Sequence, residues 1–240
     1  MCDKICIIPA KTYSERVPAK NIKLLCGKPL LAYTIECAHD CRLFDDIVVS
    51  TESPEVAKIA CDYGAEVPYV RPKHLVSNQS GIADVCIDLL KYLQQSHGRE
   101  YRHTFIFLPT SPFRRLQDIR EAYDKFCSVP GARVLMSVKE MEYPPFWALI
   151  HNQDDFYHRL FPEHANKRRH ELEKTYRPDG MVTILDTRAF IEQGSYNFPE
   201  IVIYETPGLS SIDIDNLLDF EFAEFLLHTG KMDVNFAKLT

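Results

Sequence analysis

Short apolar runs alternate with stretches of helical spacing through the first 140 residues. Residues 4–9 (KICIIP), 46–51 (DIVVST), 66–70, 104–108 and 132–138 are strand-like. Between them, residues 29–39 (PLLAYTIECAH), 54–63, 82–95 and 116–127 repeat apolar positions every three or four residues, which predicts helices. Pro29 suits a helix start and Gly64 a helix end. The strand-like runs are continuously apolar, as in strands buried on both faces, so the alternation predicts an α/β domain with a mostly parallel sheet. The pattern breaks over residues 140–177, where prolines, aromatics and the basic run NKRRHELEK occur without a long helix. Regular structure is expected again as strands over 181–186, 201–205 and 212–214 and a helix over 217–228. With no internal repeat and no low-complexity linker, the chain reads as one domain, residues 1–240, with an inserted arm near 140–177.

Composition narrows the function classes. Nine glycines are few for 240 residues, where average usage would give about 17. The first is Gly27, so neither GxGxxG nor GxxxxGK[ST] is present. A net charge of −6 argues against a nucleic-acid binder but allows an anionic ligand in a local basic pocket. The eight cysteines form no CxxC and no usable zinc quartet, and are expected to be reduced thiols of a cytoplasmic protein. No leader-like h-region and no membrane-spanning run is apparent.

In open parallel sheets, ligands lie beyond the carboxyl ends of the strands. The stretches just after the strands, 9–21, 51–53, 71–80 and 109–115, are therefore candidates, and four constellations, two of them in these stretches, could carry chemistry. Lys11, Arg16 and Lys20 fall within ten residues after the first strand, with Ser14 and Asn21 beside them. Such a set suits a triphosphate, and a solvated basic loop is the competing reading. In SIDID, alternation turns Ile212 and Ile214 inward and brings the Asp213 and Asp215 carboxylates out together. Two adjacent carboxylates with a phosphate substrate favour Mg²⁺, while capping of the last helix by Asp215 or Asn216 is the alternative. The turn LPTSPFRR (108–115) offers Thr110, Ser111 and an arginine to a site, or is simply a turn into a helix. The arm's Lys167, Arg168 and Arg169, followed by YRPDG (176–180), suit a carboxylate or phosphate, or form a solvated charge run. The histidines show no metal or nucleophile spacing, and there is no GxSxG.

Taken in order, these constellations resemble the CMP-sialic acid synthetases (acylneuraminate and nonulosonic acid cytidylyltransferases). IIPAKTYSERVPAKN followed by GKPLLAYTI resembles the family's PARxxSKxxPxKN and GxPLxxxTI. LPTSPFR resembles QPTSPLR, YRPDG resembles [YF]RPNG, and SIDIDNLLDFEFAE resembles the terminal SIDID motif. The likeness covers nearly the whole chain. It implies a Rossmann-like nucleotide-diphospho-sugar transferase fold that dimerises through its arm. It also implies a reaction in which the anomeric hydroxyl of a 2-keto sugar acid attacks the α-phosphate of CTP, releasing pyrophosphate. By the same resemblance, Lys11, Ser14, Arg16, Lys20, Asn21, Arg71, Ser77 and Ser80 would hold the nucleotide, and Asp213 and Asp215 would hold Mg²⁺. Leu108, Thr110, Ser111, Trp147, Arg169, Arg177 and Asp179 would form the sugar side. Lys20, Asp213, Asp215 and Arg169 would be the catalytic set.

The chain departs from the pattern at named positions. Lys11 replaces the usual arginine, Glu15 a lysine, Leu108 a glutamine and Asp179 an asparagine, and Trp147 stands where some members are basic. Thr12 and Tyr13 occupy a turn where relatives usually place glycine. The sugar half diverges more than the nucleotide half, which predicts a modified nonulosonic acid as substrate in place of N-acetylneuraminate. A KDO-type cytidylyltransferase and a catalytically weakened nucleotide-binding homologue are the alternatives.

Overall fold

The protein is described by a computed structural model covering residues 2–14, 16–76, 80–152 and 154–232. Its strands are β1 (Cys2–Pro9), β2 (Leu24–Leu25), β3 (Lys28–Pro29), β4 (Asp46–Ser50), β5 (Tyr101–Ile106), β6 (Val134–Glu140), β7 (Leu149–His151), β8 (Tyr157–Arg159), β9 (Tyr176–Asp186) and β10 (Val202–Glu205). Its α-helices are α1 (Leu30–Asp40), α2 (Pro54–Asp62), α3 (Ile82–His97), α4 (Leu116–Ser128), α5 (Thr187–Gln193) and α6 (Leu217–His228).

Six strands form the central sheet in the order β10-β6-β9-β5-β1-β4. β4, β1 and β5 pair in parallel, as do β6 and β10, and β9 runs antiparallel between β5 and β6. Continuous apolar strands bury both faces. Cys6 and Ile8 of β1 point to a core shared with α1, α2 and α4, while Ile5 and Ile7 point to a second core with α3 and α5. Helix α6 packs through Phe220, Ala223 and Leu226 on Leu25, Leu30 and Tyr33, forming a third cluster that includes Ile214.

Two expected strands are absent for identifiable reasons. Residues 66–70 make only the single bridges Val48–Glu66 and Thr51–Val70, since Pro68 interrupts the run and lacks a ladder donor. Residues 212–214 follow a short 3₁₀ turn (Gly208–Ser211) and connect to the fold through Ile214 N–H donating to Thr110 O (2.8 Å). The arm, between β6 and β9, carries the antiparallel hairpin β7–β8, whose six strand residues are all exposed. No helix among the described residues is long and apolar enough to cross a membrane. The seven cysteines whose side chains are described are free thiols, four of them buried.

Gly180 is required by its surroundings. Its φ is +72°, and a Cβ there would sit 2.9 Å from Leu108 Cδ1. Gly180→Ala is expected to cost about 1–2 kcal/mol, mostly from the left-handed backbone, because Leu108 can give way in part. Urea denaturation measures this.

Candidate active site

A cavity of about 290 Å³ opens beyond the carboxyl ends of β1 and β5. One wall is the loop after β1. Ala10 N–H donates to Ser50 O (2.9 Å) and Thr12 N–H to Glu52 Oε1 (2.7 Å), so β4 and the residues after it anchor the start of the loop. Asn21 Nδ2 donates to Lys11 O (2.8 Å), tying the loop's two ends together. Ala19, at φ +50°, turns the chain so that the 3₁₀ segment Lys20–Ile22 returns towards α1. Arg71, 5% exposed, donates Nε to Ser50 Oγ (3.2 Å) and Nη2 to Ser50 O, and its Nη1 lies 3.6 Å from Glu52 Oε2. Glu52 therefore couples Arg71 to the loop.

The opposite wall is the SIDID segment and the turn after β5. Lys20 Nζ donates to Ile214 O (2.5 Å) and lies 3.8 Å from Asp215 Oδ1. Burial lowers the Lys20 pKa, and the fields of Asp215 and Asp213 oppose that shift. Asp215 also meets Arg16 Nη1 at 3.2 Å in an exposed pair. Burial pushes the Asp213 carboxyl up; a hydrogen bond from Thr110 lowers it, Asp215 raises it further, and Lys20 and Arg177 pull it down. Asp213 Oδ1 is buried with no partner. Of the two candidate caps it is Asn216 that caps α6: its Oδ1 accepts from Asp219 N–H (3.0 Å), and Asp219 Oδ2 accepts from Asp215 and Asn216 N–H. The Asp215 side chain is thus left to face the cations.

Lys11, Ser14, Lys20, Asn21, Arg71, Ser80, Leu108, Thr110, Asp213 and Asp215 all line this cavity. Arg16 touches it through Asp215. Ser77, like Glu15, lies outside the described residues. Five positions on the sugar side are elsewhere. Ser111 and Asp179 are buried beneath the wall, with Ser111 Oγ donating to Asp179 O (3.4 Å). Arg177 is exposed and near enough for its charge to act on Asp213. Trp147 stands on the arm's Pro145–Trp147 turn, and Arg169 lies 3.8 Å from Glu140 beside a separate depression of about 500 Å³. Neither lines the cavity.

The arginine expected at the site from LPTSPFRR is not there. Arg114 is 1% exposed and donates to the carbonyls of Leu108, Ser111, Gly180 and Met181 and to Thr34 Oγ1. Burial pushes its pKa down to about 10. Carbonyls of the turn and of residues 180–181 draw the guanidinium inward. Tyr13, Leu75 and Val76, from the stretches that follow strand-like runs, also line the cavity, as do Gly81, Ile82 and Val85, which the sequence reading does not single out. The available signal was the start of α3, since helix N-termini in such sheets face the ligand side and favour anions.

The arrangement pairs cations (Lys11, Lys20, Arg71) with two carboxylates, one holding an unpartnered oxygen, around an opening partly walled by apolar groups. Such a set can hold a polyphosphate, a divalent cation and an organic group together.

Residues 5–97 match a family model described as Cytidylyltransferase. The chain is 32% identical to the pseudaminic acid cytidylyltransferase of Campylobacter jejuni, over 92% of this chain and 95% of that protein. It is 34% identical to the CMP-N,N'-diacetyllegionaminic acid synthase of Legionella pneumophila, over 95% and 97%. Among solved structures, a CMP:2-keto-3-deoxy-manno-octonic acid synthetase complexed with CTP superposes with a TM-score of 0.69 at 16% identity, covering 95% of this chain and 99% of that one.

Proposed function

We propose, from the premise that this chain belongs to the nonulosonic acid cytidylyltransferases, that it activates a sialic-acid-like sugar acid with CTP, giving the CMP-sugar and pyrophosphate. The single observation that carries this for the chain's own residues is the convergence of Lys11, Lys20, Arg71, Asp213 and Asp215 on one cavity. The loop after β1 and Arg71 bind and orient the triphosphate, with their cations set against its charge. Negative charge accumulates on phosphoryl oxygens as the sugar hydroxyl attacks, and Lys20, held against Ile214 O, stabilises it from a fixed position.

The residues fit a divalent cation: Asp213 Oδ1 is buried and unpartnered, and Asp215 stands beside it. Asp213 and Asp215 would hold Mg²⁺, which when bound neutralises phosphate charge and lowers the pKa of a coordinated hydroxyl. Chelation with EDTA is expected to abolish turnover, and added Mg²⁺ to restore it. Full activity after exhaustive chelation would overturn the metal assignment.

We place the enzyme in the cytoplasm as a homodimer. In support, the β7–β8 ribbon exposes Leu149, Ile150 and Tyr157, and an isolated two-stranded ribbon is marginal without a partner surface. Trp147 and Arg169 then belong to an arm that a second copy packs on. Leu108 on the cavity wall favours a modified nonulosonic acid over N-acetylneuraminate.

Pyrophosphate release with CTP and Mg²⁺ across neuraminic, legionaminic, pseudaminic, KDN and KDO acids tests the reading. The expected result is release with a pseudaminic- or legionaminic-type acid above that with neuraminate or KDO. Calorimetric CTP binding without release on any of the five would overturn it in favour of a nucleotide-binding homologue.

A further inference from the structure

The pairing of β6 with β9 is interrupted beside the cavity. Met136 pairs with Thr183 and Val138 with Pro178, so residues 179–182 all face Ser137. An excursion of that length strips backbone groups of their ladder partners, and buried groups need replacements. Side chains supply them. Ser137 Oγ accepts from Val182 N–H (2.8 Å) and donates to Asp179 Oδ1, which also accepts from Met181 N–H (3.1 Å). The carbonyls of Gly180 and Met181 accept from Arg114. Ser137, Asp179 and Arg114 are each 1% exposed.

This network reaches the cavity on two sides. Arg114 also holds Leu108 O, and Gly180 backs directly on the Leu108 side chain, so the cavity wall rests on the excursion. Arg177 precedes Asp179 by two residues, and its charge acts on Asp213 in the cavity wall.

We propose that Asp179 is a positioning residue for the sugar acid: with Ser137 and Arg114 it locks the β9 excursion, and the lock holds Leu108 and Arg177 in place against that substrate. Asp179 does not touch substrate. The proposal rests on the sugar-acid reading given above. The triphosphate wall is anchored separately, through Ser50, Glu52 and Lys11 O, so loss of the lock should act on one substrate only.

The test is Asp179→Ala and Asp179→Asn, with Ser137→Ala as a milder second variant should Asp179→Ala fold poorly. Asp179→Ala is expected to raise KM for the sugar acid about tenfold with the Kd for CTP within about twofold. Asp179→Asn keeps an acceptor for Ser137 and Met181 and should return KM to within about threefold of the parent. Ser137→Ala should move the sugar KM in the same direction by a smaller factor. A folded Asp179→Ala variant with unchanged sugar KM overturns the proposal, as does a joint rise in sugar KM and CTP Kd, which would mark general loosening. Hydrogen exchange provides a readout without turnover: the Met181 and Val182 amides should lose protection in Asp179→Ala. If the parent releases no pyrophosphate with any sugar acid, the functional reading fails on its own. Unchanged protection of those amides would then separately overturn the lock.

Discussion

Asp213→Asn is expected to lower kcat by about 10²–10³-fold or more, the scale on which loss of one charge-stabilising group acts, while leaving the protein at least as stable as the parent at pH 7. The two halves have one cause. Burial raises the Asp213 pKa above its ordinary value of 3.8, so the folded state binds the proton more tightly than the unfolded chain does. Its contribution to stability is therefore full below pH 3.8 and is lost as pH rises through the raised folded value. At neutral pH the ionised carboxylate is kept at a cost, as suits a group that waits for a cation. Asparagine keeps the shape and removes the charge. Pyrophosphate release and thermal unfolding, measured side by side at pH 7, check both halves. Normal turnover would remove Asp213 from the metal site. A clearly lower Tm would show that the carboxylate is structurally paired.

The same carboxylate shows what the sequence could carry. Alternation through SIDID placed Asp213 and Asp215 side by side with Ile214 turned inward, and Ile214 is indeed fully buried. The expected strand did not form, because Ile214 N–H finds its partner at Thr110, on the turn after β5, and not on a neighbouring strand. Local periodicity fixes which way side chains face, but pairing partners come from topology. The same limit explains Arg114 and Asp179. Both sit in motifs that read as ligand-facing, yet both serve the β9 excursion, which joins segments more than forty residues apart in the chain. Pro68 did carry a readable warning against a strand over 66–70. The loop after β1 was legible because its cations follow a strand whose carboxyl end must face the ligand side. Arg169 and Trp147 do not line the chain's own cavity, so the sugar-side place that the motifs suggest for them is not met there.

Lys20→Met should be the second severe lesion, with the opposite effect on stability. The Lys20 side chain is 12% exposed, and Nζ bridges Ile214 O and Asp215. Methionine matches the buried stem and removes the ammonium, with its charge and its hydrogen bond to Ile214 O. Without Nζ, Asp215 keeps the exposed Arg16, whose pairing is weak in solvent, and Asp213 loses the cation that acts on it more strongly. Ile214 O loses its donor and the carboxylates lose part of their compensation, which outweighs the burial cost recovered with the Lys20 charge, so Tm should fall where Asp213→Asn leaves it level or higher. Turnover should drop about 10²-fold, with weaker CTP binding, because the fixed cation serves the phosphates as well as the carboxylates. Combining the two substitutions separates these contributions. If Lys20 stabilises the fold by opposing Asp213, the double variant should recover much of the Tm lost in Lys20→Met yet regain no activity. Additive changes in Tm would show that the two groups do not interact, and the site's charge balance would then have to be carried by Arg71 and Lys11 instead.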